Sequence, residues 1–375
     1  MKYLANVLKR VHHFLKRFAL WQEFVFFVKK IYGFCSGKYC FYRSPDWANL
    51  KHKGNISDLK FAVICDEMTW ENMSSEFNVV YLTPKNWRRV LEIEKPDILF
   101  CEATWEGLSG NWQNQIFHNQ NLRQDNRFVL KDILRYCHNA QISTIFWNKE
   151  DRPAFQDAPF SFVDTALLFD HIFTTCLECI AKYQKLGHKS VHLMKFGFST
   201  KLFSPLPMPV KTGIAMFFGS WYKNNPERCQ AMQEIFDMVL NKGLHLVIYD
   251  RVSDRQNEDR RFPEKYRSYI RDKVPYRQIR KELKEAEYVI NINSVTDSDT
   301  MFARRVFETM ACGRILISND SLGLRRRFPS HIWFMNEDFA WENAQQIIQD
   351  NIKVVYEKYT FYKQMEEALI EAKII

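Results

Sequence analysis

No stretch of the sequence reaches the roughly 18 uncharged residues that a bilayer-spanning helix needs. The start is basic, but His12, His13, Lys16 and Arg17 break the apolar run that would follow in a secretory signal. Nine cysteines, an odd number, show no zinc-finger spacing. Cys176 and Cys179 do read C-x-x-C, yet no second pair or following histidine completes a tetrahedral set. Plain thiols in a reducing compartment are expected, which places the chain in the cytoplasm. Neither G-x-G-x-x-G nor a Walker A motif occurs, and no metal cage is visible. A spread basic face of the kind that grips nucleic acid is also missing. Of the net charge of +9, residues 1–34 supply +6, from seven Lys/Arg against Glu23, and the remainder is nearly neutral. Nucleic acid is therefore not an expected partner.

What is present is a chain of 375 residues, 46% apolar, long enough for two or three domains with real cores. In residues 1–34 Leu4, Val7, Leu8, Val11, Phe14, Leu15, Phe18 and Trp21 recur at helical steps, with Lys9, Arg10, Lys16 and Arg17 largely off that face. Such an arm suits a helix lying in a membrane interface. The plainer reading is that it packs on its own protein.

From residue 57 short apolar runs alternate with helix-length segments. Strands are expected at 59–66, 77–84, 95–105, 142–151, 170–176 and 190–198, and the segment 123–139 is helix-like. Apolar runs of this kind fit a parallel sheet covered on both faces. Ligands of such sheets sit beyond the carboxyl ends of the strands. The residues there are Asp66-Glu67, Glu102 to Gly107, and Asn148 to Asp151. Glu150 and Asp151 are candidate acids for catalysis, although an acid at a strand exit is often only a helix cap.

Three prolines and a glycine in 202–213 mark a linker. Beyond it, Ile214 to Phe218 reads as a strand, Gly219-Ser220 as a tight exit, and Pro226 as a helix start capped by Asn225. A strand, a glycine turn and a helix make a minimal phosphate cradle. Strands are expected at 244–250, 287–294 and, as the last, 314–320. A helix should run from Tyr276 to about Ala286, and another over 300–312, ended by Gly313. The second of these holds the most chemistry. Thr300, Arg304 and Arg305 stand at its expected start and Glu308 one turn on. Arg304 and Glu308 could be a surface pair. Alternatively, arginines there neutralise a diphosphate, and the glutamate meets the hydroxyls of a ribose.

The segments TMFARRVFETMACG and ISTIFWNKED, the latter followed by FDHIFTTC, resemble the CgeB-like glycosyltransferase family, first named for a spore-maturation protein. The resemblance runs over about residues 57–365. It implies an α/β GT-B architecture, two Rossmann-like domains facing across a cleft, here with an extra helical arm. The boundaries would be an arm over 1–56, an acceptor domain over 57–207, a nucleotide-sugar domain over 208–340, and helices over 341–375 that brace the first domain. It implies transfer of a sugar from a nucleoside diphosphate sugar to a glycan or lipid-linked glycan, in cell-surface polysaccharide synthesis, without a further cofactor. Within the E-x7-E pattern of the related retaining enzymes, Glu308 matches the second glutamate, whereas Thr300 stands where the first would be. The donor site implied comprises Gly219, Ser220, Tyr276, Thr300, Arg304 and Glu308, with Arg305 and Glu150 or Asp151 carrying catalysis. A polyol-phosphate transferase, or an inactive glycan-binding member, are the rival readings. The enzyme would be cytoplasmic, peripheral to the inner face of the cell membrane through residues 1–34.

Overall fold

The apolar runs of the first half become β1 (Lys60–Ile64), β2 (Asn78–Tyr81), β3 (Ile98–Glu102), β5 (Ser143–Asn148), β7 (His171–Thr174) and β8 (Val191–Leu193), with a short ribbon of β4 (His118–Asn119) and β6 (Phe160–Ser161) between them. Those of the second half become β9 (Ile214–Gly219), β10 (His245–Asp250), β12 (Tyr288–Asn291) and β13 (Ile315–Ser318), joined by β11 (Ile270–Arg271) and β14 (Trp333–Phe334). This computed structural model describes residues 54–119, 121–155, 160–207, 212–255, 257–335, 337–338 and 341–375. The basic arm up to residue 53, with its expected membrane face, lies outside the described residues, as do 208–211 of the linker.

Two six-stranded sheets result, with orders β2-β1-β3-β5-β7-β8 and β11-β10-β9-β12-β13-β14. The registers are parallel, for example Phe61↔Ile98, Glu102↔Trp147 and Ile290↔Phe217. β3 and β5 are buried along their whole length, which explains continuous apolar runs in place of alternation. In β9 alternation decides only which face a side chain joins. Met216 and Phe218 pack with Val289, Leu316 and Val306 on one side, and Ala215 and Phe217 with Phe236, Ile290 and Ile317 on the other.

Counted outward from the first strand, the second sheet has the order 3-2-1-4-5-6, so its direction of winding reverses between β9 and β12. The first sheet reverses between β1 and β3. Those two points are where crossover helices diverge and leave a crevice. By packing, the described residues form two units. One holds Asp58–Asp66 and Val79–Ile172; the other holds Glu67–Asn78 and Phe173–Ile375. The helix Glu67–Glu76 thus belongs with the second unit, where Phe77 stacks on Tyr362 of the final helix Phe361–Glu371.

Three elements differ from expectation. Tyr276 to Glu282 is only a 3-10 turn followed by one helical turn, Ile279–Glu282, and further turns reach Ala286. β13 is not the last strand, because β14 adds to its edge through Ile317↔Trp333. The helix expected over 300–312 spans only Arg305–Ala311. Side chains take the backbone groups that would have extended it. Ala303 N–H donates to Asn293 Oδ1 at 3.0 Å and Met301 N–H to Ser298 Oγ at 3.1 Å. Gly313, at φ +69°, ends the helix as expected.

Candidate active site

β9 ends at Gly219, where a Cβ would lie 2.6 Å from the Phe217 ring, so only glycine fits. Ser220 follows, 1% exposed, and its Oγ has no hydrogen-bond partner. The helix Pro226–Asn241 begins beyond, with Pro226 in its first turn and Asn225 Oδ1 accepting from Arg228 N–H at 3.1 Å. That start agrees with the sequence reading. Arg228 itself was not singled out. Its Nη1 donates to the Ser220 carbonyl at 3.0 Å, and its guanidinium lies 4.6 Å from the Tyr222 ring.

Tyr222 gathers two more arginines. Arg260 stacks on the ring at 3.8 Å, and Arg251, just past β10, donates to the hydroxyl. Arg305, from the first turn of Arg305–Ala311, sits 5.2 Å over Phe217. Burial pulls the Arg305 guanidinium down to about 10. Glu308 opposes that fall, while Arg228, Arg251 and Arg304 add to it. Burial also lowers Arg228, with Arg251 and Arg260 pushing the same way against Tyr222 and Cys229. Four arginines from three stretches of chain therefore repel one another at the carboxyl end of β9. Among the described residues, none of Arg228, Arg251, Arg260 and Arg305 has a carboxylate ion-pair partner.

Arg304 is different, since its Nε is 2.8 Å from Glu308 Oε1. Glu308 is 6% exposed. The same Oε1 accepts from the Tyr276 hydroxyl, which in turn accepts from Asn72 Nδ2 at 2.9 Å. Burial, then Glu308, push the Tyr276 phenol well above its ordinary value, so it stays a proton donor to the carboxylate. Tyr276 is buried against Phe203, with its hydroxyl committed to Glu308. Thr300 lies in the loop before the helix, where its hydroxyl donates to the Thr175 carbonyl at 2.8 Å and accepts from Leu177 N–H at 2.9 Å.

In the first unit, Asp151 is fully buried and accepts from Asn148 Nδ2 at 2.6 Å. Glu150 is half-buried. The other strand-exit acids meet a lysine. Lys149 Nζ is 3.0 Å from Glu102 and 3.4 Å from Asp66. Asp66 also takes the Thr104 hydroxyl and Gly107 N–H, the latter at 2.8 Å. Among the described residues no three His, Cys, Asp or Glu side chains are grouped to hold a metal, and no helix is long and apolar enough to cross a membrane.

Solved structures share this arrangement of two parallel sheets. HepE of Anabaena, determined with UDP-glucose, has a TM-score of 0.53 at 9% identity, over 84% of this chain and 100% of that one. Sucrose-phosphate synthase of Thermosynechococcus elongatus gives 0.51 at 12%, over 76% of each chain. A glycosyltransferase of Rickettsia africae gives 0.50 at 9%, over 81% and 86%. The chain has the GT-B fold. Residues 230–367 match the family described as glycosyl transferase-like, a stretch that takes in Arg305 and Glu308 but not Gly219 to Arg228. No curated protein sequence matches the chain.

The members of this cluster that the sequence did not single out are Arg228, Arg251, Arg260 and Tyr222. One signal existed. An arginine in the first turn of a helix opposes the dipole, and Arg228 stands there without a local acid to balance it except Glu227.

Proposed function

We propose that the protein is a glycosyltransferase that moves a sugar from a nucleoside diphosphate sugar to a hydroxyl of a glycan or lipid-linked glycan, within the CgeB-like group, in cell-surface polysaccharide synthesis. The observation that carries the reading is the group of Arg228, Arg251, Arg260 and Arg305 at the winding reversal of the second sheet, none of them ion-paired to a carboxylate among the described residues. Like charges held together in partial burial raise the free energy of the empty site, and a dianionic diphosphate offsets it. The HepE structure, determined with UDP-glucose, is similar in fold and supports the same class of donor.

In this reading the diphosphate lies at the Gly219-Ser220 exit, where the missing side chain makes room for the Phe217 ring, with Ser220 Oγ as a donor. Arg305 and Arg228 neutralise the charge that grows on the leaving phosphate as the glycosidic bond breaks. Glu308 binds the ribose hydroxyls through Oε2, since both of its bonds go to Oε1. Arg304 and Tyr276 hold it there. Thr300 fixes the loop ahead of the helix. The segment 57–207 takes the acceptor and 208–340 the donor, with 341–375 as bracing helices. Glu150 is the base that removes the acceptor proton if configuration inverts, and Asp151 holds its strand exit. The arm 1–34 carries the enzyme to the inner face of the membrane.

The test is donor hydrolysis and thermal shift with a panel of nucleoside diphosphates and their sugars. At least one should raise the unfolding midpoint. Arg305→Ala should lower kcat/KM about 100-fold, and Glu308→Ala should raise the donor KM about tenfold. Folded variants with wild-type rates would remove both roles.

A further inference from the structure

Six large apolar side chains are exposed among the described residues, and Trp105, at 39%, is the aromatic one. It stands three residues past β3, at the winding reversal of the first sheet, where a parallel sheet opens its crevice. Its ring is not loose. Phe117 lies 5.1 Å away at a tilt, and Phe162 meets it edge-on at 5.0 Å. The following loop is fixed as well. Gly107 has φ +69°, a conformation that favours glycine, and a Cβ there would strike Trp112 at 2.9 Å. Gly107 N–H is bound by Asp66, and Leu108 N–H donates to the Tyr81 hydroxyl at 2.8 Å. An indole that is both exposed and locked has lost the entropy that binding would otherwise cost it.

We propose that Trp105 is the platform on which a pyranose ring of a saccharide acceptor stacks. One face of a pyranose presents axial C–H groups, which pack on an aromatic ring, while its rim presents hydroxyls. Hydrogen-bonding groups stand close in the chain. Glu106 follows the platform. The ribbon β4–β6 that carries Phe117 and Phe162 nearby also leads to His118, whose Nδ1 is 2.8 Å from Asp164. The carboxylates of Glu106 and Asp164 argue against an anionic membrane surface as the occupant, because a lipid-facing aromatic is ordinarily flanked by Lys or Arg. The inference rests on the glycosyltransferase reading above and narrows its acceptor to one that presents a sugar ring.

The experiment applies purified full-length wild type, Trp105→Ala and Trp105→Phe to a printed glycan array, with nucleoside diphosphate affinity measured by calorimetry on the same samples. Wild type should retain a set of glycans. Trp105→Ala should bind that set about tenfold more weakly or worse, and Trp105→Phe within about threefold of wild type, which guards against a folding defect. Nucleotide affinity should be the same in all three. Equal glycan binding by Trp105→Ala, or no glycan retained by wild type, overturns the platform, as does wild-type adsorption to phosphatidylglycerol vesicles that is lost in Trp105→Ala. Loss of nucleotide binding in wild type would instead defeat the donor reading and leave the array result to decide the platform.

Discussion

The two sheets end in opposite electrostatic states. At the carboxyl ends of β1, β3 and β5, Asp66 and Glu102 share Lys149, and each charge is answered within the fold. At the carboxyl ends of β9 and β10, Arg228, Arg251, Arg260 and Arg305 face one another with no carboxylate in ion-pair contact among the described residues, and only Glu308 acts on Arg305 from further off. Paired charges hold a structure together, whereas unanswered like charges cost stability until a ligand supplies the opposite sign. Substitutions in the two places should therefore move stability in opposite directions.

The largest effect belongs to the first sheet. Lys149→Met leaves Asp66 and the buried Glu102 without their cation and should cost about 3–5 kcal/mol in urea unfolding. A loss below about 1 kcal/mol would make the cluster incidental.

The pH dependence sharpens the same point. Burial acts to raise Asp66, but Lys149, Thr104 and the Gly107 N–H outweigh it and hold its carboxyl below the ordinary value. Its contribution is present above about pH 3.9, the unfolded value, and disappears as pH falls through the folded one. Burial acts to lower Lys149, yet Glu102, Asp66 and Glu150 raise it. That contribution is whole below about pH 10.4 and is lost as pH climbs through the raised value. Wild-type stability should decline on acidification below about pH 4. In Lys149→Met the slope should reverse, with acid stabilising, because protonation then relieves buried carboxylates. Parallel acid limbs in the two proteins would contradict this.

A smaller change is expected at Tyr276. Tyr276→Phe removes the hydroxyl that links Asn72 to Glu308, at about 1 kcal/mol of stability, and should raise the donor KM several-fold with little change in kcat. Smallest is the effect of Arg305→Gln on the empty protein, a gain of about 0.5 kcal/mol from relieved repulsion, despite the loss of donor binding. A destabilised Arg305→Gln would mean that the arginines are held by the fold for its own sake.

The strands were legible because buried parallel strands write themselves as apolar runs, and β1, β3, β5, β10 and β13 fall inside the runs read from sequence, with β9 one residue longer than its run. The Pro226 helix start was legible from proline and Asn225. The short helix at Arg305 was not. Ser298, three residues before Met301, and Asn293, ten before Ala303, divert the backbone ahead of it, and hydrophobic periodicity carries no trace of such side-chain bonds. The arginine group was largely hidden for a similar reason. Arg251 lies just past β10 and Arg260 ends a single 3-10 turn, Glu258–Arg260, and the Tyr222 ring brings them together. The Glu308 support was hidden more deeply, since Asn72 is 204 residues from Tyr276.

That separation has a consequence for biosynthesis. The helix Glu67–Glu76 leaves the ribosome ahead of Tyr276 by those 204 residues, roughly 10–40 s at usual elongation rates. Throughout that interval Asn72 has no phenol to meet. The hydrogen-bonded chain from Asn72 through Tyr276 to Glu308 can form only when most of the polypeptide has been made, so a nascent chain stalled before residue 276 holds Asn72, Arg228, Arg251 and Arg260 but neither Arg305 nor Glu308.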